Sequence, residues 1–168
     1  MVDRDKIENK IRYVKDNLEK LKELQQESKQ DFLNDYLKYD TAKYNLQVSI
    51  EALIDIGNHI ISRENFKFPD TNADTFKILK EENIISKNKL KAFIAMAKFR
   101  NMVVHLYDKI DEKEIYDILQ NHLDDFEYFI QRIVEIYLTD EETDEENKKK
   151  EKQEVENNCN KENNVNDK

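Results

Sequence analysis

The stretch Ala92-Phe93-Ile94-Ala95-Met96-Ala97-Lys98-Phe99-Arg100-Asn101-Met102-Val103-Val104-His105-Leu106-Tyr107 holds twelve apolar or aromatic residues and only four others: Lys98, Arg100, Asn101 and His105. A helix on the outside of a small bundle carries a broad polar face, and this one barely has one. At about 100° per residue, Leu90, Ile94, Ala97 and Val104 form a stripe toward a bundle core, while Ala95, Phe99, Met102 and Leu106 form a second stripe on the opposite side. The second stripe needs a cover. Neighbouring helices take part of it, and the simplest cover for the remainder is a second copy of the chain, so a homodimer with this helix near the contact is expected. The alternative is a fully central helix in a five-helix monomer.

Composition points the same way. The chain has 168 residues, enough for one domain plus an extension, with a single Gly and a single Pro. Hairpins, phosphate loops and tight turns need residues that tolerate φ > 0 or preset the backbone, so sandwiches, barrels, Rossmann folds and P-loop enzymes are excluded on turn chemistry. An all-α protein remains. No run approaches about 18 consecutive apolar residues, and Met1-Val2-Asp3-Arg4-Asp5 opens without an apolar segment, so neither a membrane span nor a signal peptide is expected. Cys159 is alone and can neither pair internally nor anchor a zinc cluster, which leaves the cytoplasm as the expected location.

Working outward, Ile7, Ile11, Val14, Leu18 and Leu21 make one apolar seam, which weakens at Gln25-Gln26-Glu27-Ser28. A second long helical pattern runs from Phe32 through Tyr36, Leu46, Ile50, Leu53 and Ile54 to Ile60. Pro69 marks a loop over 63–71, and a short helix over 72–82 follows with Thr71 as its N-cap. Ser86 is expected to cap the helix that ends near His105, with Ile85 and Leu90 as its hydrophobic staple. Asp111 and Glu114 read as a capping box opening a last helix whose buried stripe is Ile115, Leu119, Leu123, Phe126, Ile130, Ile133 and Tyr137. The expectation is an antiparallel bundle of four to five helices over residues 1–138. Residues 139–168 are dominated by Asp, Glu, Lys and Asn and cannot bury enough apolar surface to offset their ordering entropy, so they read as a disordered acidic tail.

The net charge of −9 is unevenly placed: 139–168 carries −5 of it, and the window 83–107 contains Lys87, Lys89, Lys91, Lys98 and Arg100 without one Asp or Glu. Such a window is either an ordinary solvated face or a surface for phosphates. Arg100 and His105, five residues apart, point about 140° from one another on an ideal helix and do not share a face. A phosphate meets both within one chain only where the helix ends or bends, whereas a two-fold dimer can set the pair of one copy against the pair of the other across a cleft.

Arg100-Asn101-Met102-Val103-Val104-His105-Leu106-Tyr107 resembles the Arg, four residues, His, one residue, Tyr signature of the HepT toxins of the HEPN (higher eukaryotes and prokaryotes nucleotide-binding) superfamily. Asn101 after the Arg fits the family, and Ala52-Leu53-Ile54-Asp55-Ile56-Gly57-Asn58-His59-Ile60 is similar to its motif on the second long helix. The resemblance spans about residues 5–138. It implies a HEPN-like two-fold dimer and a metal-independent ribonuclease toxin controlled by a small nucleotidyltransferase antitoxin of the MntA type, with no cofactor.

Under that resemblance His105 is the general acid or base as the adjacent 2′-hydroxyl attacks the phosphate, a task that suits an imidazole because such groups titrate near neutrality. Arg100 holds the scissile phosphate with a planar fork of donors. Asn101 and Asp55 orient these groups, Tyr107 accepts AMP from the antitoxin, and Lys98 and Lys91 guide RNA backbone.

Each residue also has a plainer reading. His105 at a helix end can cap carbonyls, Tyr107 can be core, and Arg100 can be paired with Asp55 or Glu51. Asp55 and His59 lie four apart but lack a third ligand, so no metal site is expected, and His122 reads as a surface residue. Two further functions stay open: a non-catalytic HEPN module that docks a nucleotidyltransferase or binds nucleotide, and a general helical interaction protein.

Overall fold

Asp3 begins the first helix, α1 (Arg4–Gln25), because its carboxylate accepts the Lys6 amide and satisfies a donor that helical pairing leaves open. The whole seam Ile7, Ile11, Val14, Leu18 and Leu21 is buried, at about 1.5–3 kcal/mol per large aliphatic side chain. The computed structural model describes residues 1–105 and 110–139, and among them every regular element is helical. The chain continues through α2 (Lys29–Leu33), α3 (Tyr36–Arg63), α4 (Asn72–Glu81), α5 (Leu90–His105), α6 (Glu112–Asn121) and α7 (Leu123–Ile133), ending in a π-helical turn, Val134–Leu138. No described helix is long and apolar enough to cross a membrane.

Among the described residues seven α-helices stand where four to five helices were expected, because two of the expected long helices are each broken once. Ser28 caps α2 and Asp35 caps α3 by accepting the Leu37 amide, so the pattern from Phe32 to Ile60 splits at residues 34–35. His122, at φ −130° and ψ 3°, separates α6 from α7. Thr71 caps α4 as expected. Ser86 does not cap α5. Its amide donates to the Tyr128 hydroxyl oxygen, a turn over 87–89 intervenes, and helical geometry starts at Leu90.

Met1–Tyr137 forms one unit, and of the other, Leu138–Lys168, only Leu138 and Thr139 are described. The expected disorder of the tail therefore lies outside the described residues. Within the first unit α1 runs antiparallel to α3, with the Asp3 amide on His59 and Lys10 on Asp55. It also opposes α6 and α7, with Gln25 on the Leu119 carbonyl and Lys22 on Glu127. Gly57 lets α4 approach α3: a Cβ there would sit 2.6 Å from Thr75 Cγ2.

The phase of α5 differs from expectation. Its buried residues are Phe93, Met96, Ala97, Phe99 and Val103, while Leu90, Ile94 and Val104 are only half-buried. The buried face is turned by roughly 100° from the stripe expected, at 3.6 residues per turn. The aromatic cluster sets this phase: Phe93 stacks on Phe76 at 5.1 Å and meets Phe129 edge-on at 5.6 Å, so the helix rolls to bring Phe93 inward. Lys91, Ala95, Lys98 and His105 are left exposed. Leu106, of the expected second stripe, lies outside the described residues.

Candidate functional site

The roll of α5 turns Arg100 inward, and its side chain is only 20% exposed. A guanidinium so placed needs a partner, since an unpaired charge loses several kcal/mol of solvation. The partner is Glu51 on α3, whose carboxylate accepts from Nε. Asn101 helps: its Oδ1 accepts from Arg100 Nη1 at 3.4 Å and from Asn72 Nδ2 at 3.1 Å, which ties the guanidinium to the first turn of α4. Arg100 has five N–H donors, and those on Nη2 together with the second on Nη1 have no partner among the described residues.

Arg100 lines an open groove of about 580 Å³ between α1, α3 and α5. Asp55 and Lys10 line it too, and these two pair with each other at 2.6 Å. Of the two carboxylates within reach of the Arg on sequence grounds, Glu51 takes it. Asp55 touches neither Arg100 nor His105 but stands one helical turn from Glu51, in the same groove. Asn9, Tyr13 and Gln47 also line it, and like Lys10 they belong to no motif or apolar seam of the sequence. The available signal was Tyr13, an aromatic ring beside Val14 of the α1 seam that the seam itself leaves outside.

His105 is exposed, the last residue of α5, and makes no hydrogen bond or ion pair among the described residues. Lys91, Lys98 and His105 follow at intervals of seven, each about 20° from the last, so they form one line along the exposed side of α5. A second open groove of about 430 Å³ lies along it, lined by Lys87, Leu90, Lys91, Ile94, Ala95 and Lys98. The two lysines thus share a side with His105 and not with Arg100. Tyr107 lies outside the described residues.

The remaining histidines serve structure. His59 Nε2 accepts the Asp3 amide at 3.0 Å, so it caps the start of α1 as a neutral ring. Burial pushes its pKa down, helped by the charges of Lys6 and Arg63. His122 is exposed and holds Asp125 at 3.0 Å, and the other Asp125 oxygen takes Lys89 at 2.6 Å.

The model of the family described as Ribonuclease HepT-like matches residues 14–133. An mRNA nuclease HepT of Shewanella oneidensis is 33% identical over 126 residues, covering 75% of this chain and 94% of the relative. A tRNA nuclease HepT of Aphanizomenon flos-aquae is 26% identical over 136 residues, covering 81% and 92%. Among solved structures, a tri-AMPylated Shewanella oneidensis HEPN toxin in complex with MNT antitoxin superposes with a TM-score of 0.71 at 32% identity, over 77% of this chain and 96% of that one.

Proposed function

The chain belongs to the Ribonuclease HepT-like family, and from that premise we propose that it is the nuclease toxin of a toxin-antitoxin pair, cutting RNA without a metal ion. The observation that carries the reading is Arg100: a guanidinium gripped through Nε by Glu51 and through Nη1 by Asn101, at the wall of an open groove, with donors left for a phosphate.

Arg100 takes a non-bridging oxygen of the scissile phosphate and stabilises the negative charge that accumulates as the neighbouring 2′-hydroxyl attacks phosphorus. The P–O bond to the 5′-oxygen breaks, leaving a 2′,3′-cyclic phosphate and a 5′-hydroxyl. His105 removes the 2′-hydroxyl proton or returns one to the leaving oxygen. Because Arg100 and His105 of one chain point to different sides of α5, the working site is a homodimer in which Arg100 faces His105 of the partner subunit. The apolar side chains left only half-covered on α5, Ile94, Met102 and Val104, support that contact. Lys91 and Lys98 lead RNA backbone toward His105 along one side of the helix.

Inactivation follows from the same chemistry. A nucleotidyltransferase antitoxin transfers AMP to the Tyr107 hydroxyl, two residues beyond His105, and the added phosphate competes for Arg100 and repels substrate. The relative of known structure carries three AMP units and sits with an MNT antitoxin, which supports both the modification and the partner.

The test is cleavage of bulk RNA in EDTA by the wild type, Arg100→Ala and His105→Ala, together with growth on expression. Activity confined to the wild type is expected. Intact mass after incubation with the antitoxin and ATP should rise in multiples of AMP, and Tyr107→Phe should abolish the rise. A second reading, a non-catalytic module that docks the nucleotidyltransferase, draws on the Glu51 pair, which already neutralises Arg100. Absence of cleavage by the wild type, with the antitoxin still bound, would favour it.

A further inference from the structure

The Arg100 groove carries more than a phosphate contact. Tyr13 presents a ring that is 45% exposed on its α1 wall. One turn away is Asn9, and across the groove Gln47 stands one turn before Glu51. Neither amide, nor the Tyr13 hydroxyl, makes a hydrogen bond among the described residues. The groove carboxylates are already committed, Glu51 to Arg100 and Asp55 to Lys10, so its charge is balanced, and the guanidinium adds charged donors to those of the amides. An unpaired nucleotide offers phosphate oxygens to the guanidinium and a base edge to the amides.

We infer that this groove is a subsite for one unpaired RNA nucleotide: the phosphate on the terminal nitrogens of Arg100, the base against the Tyr13 ring, the base edge read by Asn9 and Gln47. Single-stranded nucleic acids are held by such rings because every base has a π-face, and an amide offers a donor and an acceptor together, which discriminates one base edge from another. The groove is of the size that small ligands occupy. The inference rests on the reading that Arg100 receives an RNA phosphate, and adds base selection at that site.

The experiment uses the full chain carrying His105→Ala, so that substrate is not consumed. Fluorescence anisotropy with short labelled oligo-A, oligo-U, oligo-C and oligo-G measures affinity and its spread across bases. Tyr13→Ala should weaken binding about tenfold, within the range found for losing one stacked base, while Tyr13→Phe keeps it. Asn9→Ala and Gln47→Ala should narrow the spread between oligomers. Equal binding by Tyr13→Ala overturns the subsite, as does an equal loss in Tyr13→Phe. An unchanged spread in both amide variants overturns it as well. If Tyr13→Ala shifts the oligomeric state on size exclusion, the ring is a contact with a second copy and the inference falls. Cleavage by the wild type is read in parallel: cleavage with Tyr13-independent binding removes the subsite alone, and ring-dependent binding without cleavage removes the nuclease reading alone.

Discussion

Removing Glu51 should destabilise the fold more than removing the charge it neutralises. Arg100 is 20% exposed and Glu51 41% exposed, so Glu51→Ala strands a cation four-fifths out of water, whereas Arg100→Met leaves a carboxylate that water still reaches. Exposed pairs are worth up to about 1 kcal/mol, and stripping one partner from a fully buried pair costs about 3–5 kcal/mol. With one member buried and the other partly solvated, Glu51→Ala falls between these limits, at about 2 kcal/mol. Arg100→Met, which keeps the aliphatic stem packed, should cost at most about 1 kcal/mol. The double variant should cost less than the sum, because nothing is then left uncompensated. For a domain of this size, about 2 kcal/mol is a fall of about 6–10 °C in Tm. Urea denaturation of the four proteins, with identical m-values as the check on two-state behaviour, measures the cycle. The reasoning is refuted if Glu51→Ala unfolds at the wild-type midpoint, or if Arg100→Met is the more costly single change.

Gly57→Ala gains about 1 kcal/mol of helix propensity but drives a Cβ to 2.6 Å from Thr75 Cγ2, and Thr75 is held by its bond to Asn58 Oδ1 at 2.8 Å. A net loss of about 1–2 kcal/mol is expected in urea, reversed by adding Thr75→Ser, which deletes that methyl while keeping the hydroxyl. His59 has its pKa lowered in the fold, so the unfolded chain binds more protons. Stability from this group is complete above the unfolded value of about 6.5 and is lost as pH falls toward the folded value. The urea midpoint of the wild type should therefore drop more between pH 7.5 and pH 5 than that of His59→Gln. Lys91→Ala and Lys98→Ala should each weaken RNA binding for all sequences alike and flatten the plot of log affinity against log salt by about 0.7 per lost phosphate contact. Unaltered slopes would remove these lysines from the RNA path.

Local signals were legible in the chain before any fold was known. The α1 seam at spacings of four and three, the oxygen of Thr71 before α4 and that of Asp111 before α6 act within one or two turns, so their neighbours along the sequence suffice to read them. The breaks at Asp35 and His122 were not, because apolar residues at helical spacing, Phe32 and Tyr36 across one and Leu119 and Leu123 across the other, bridge each of them. α5 marks the limit most clearly. A helix that is apolar nearly all round has no preferred face of its own, so its rotation was set by Phe93 entering the cluster with Phe76 and Phe129, and that rotation carried Arg100 inward while leaving His105 outside. The choice of partner for Arg100 was equally a tertiary matter. Glu51 and Asp55 lie one turn apart on the same helix face, equivalent by spacing, and were told apart only when Lys10 on α1 paired with Asp55 and left Glu51 for the guanidinium. Helical periodicity and capping are properties of consecutive residues, whereas the phase of an all-apolar helix and the pairing of buried charges depend on which distant side chains arrive beside them.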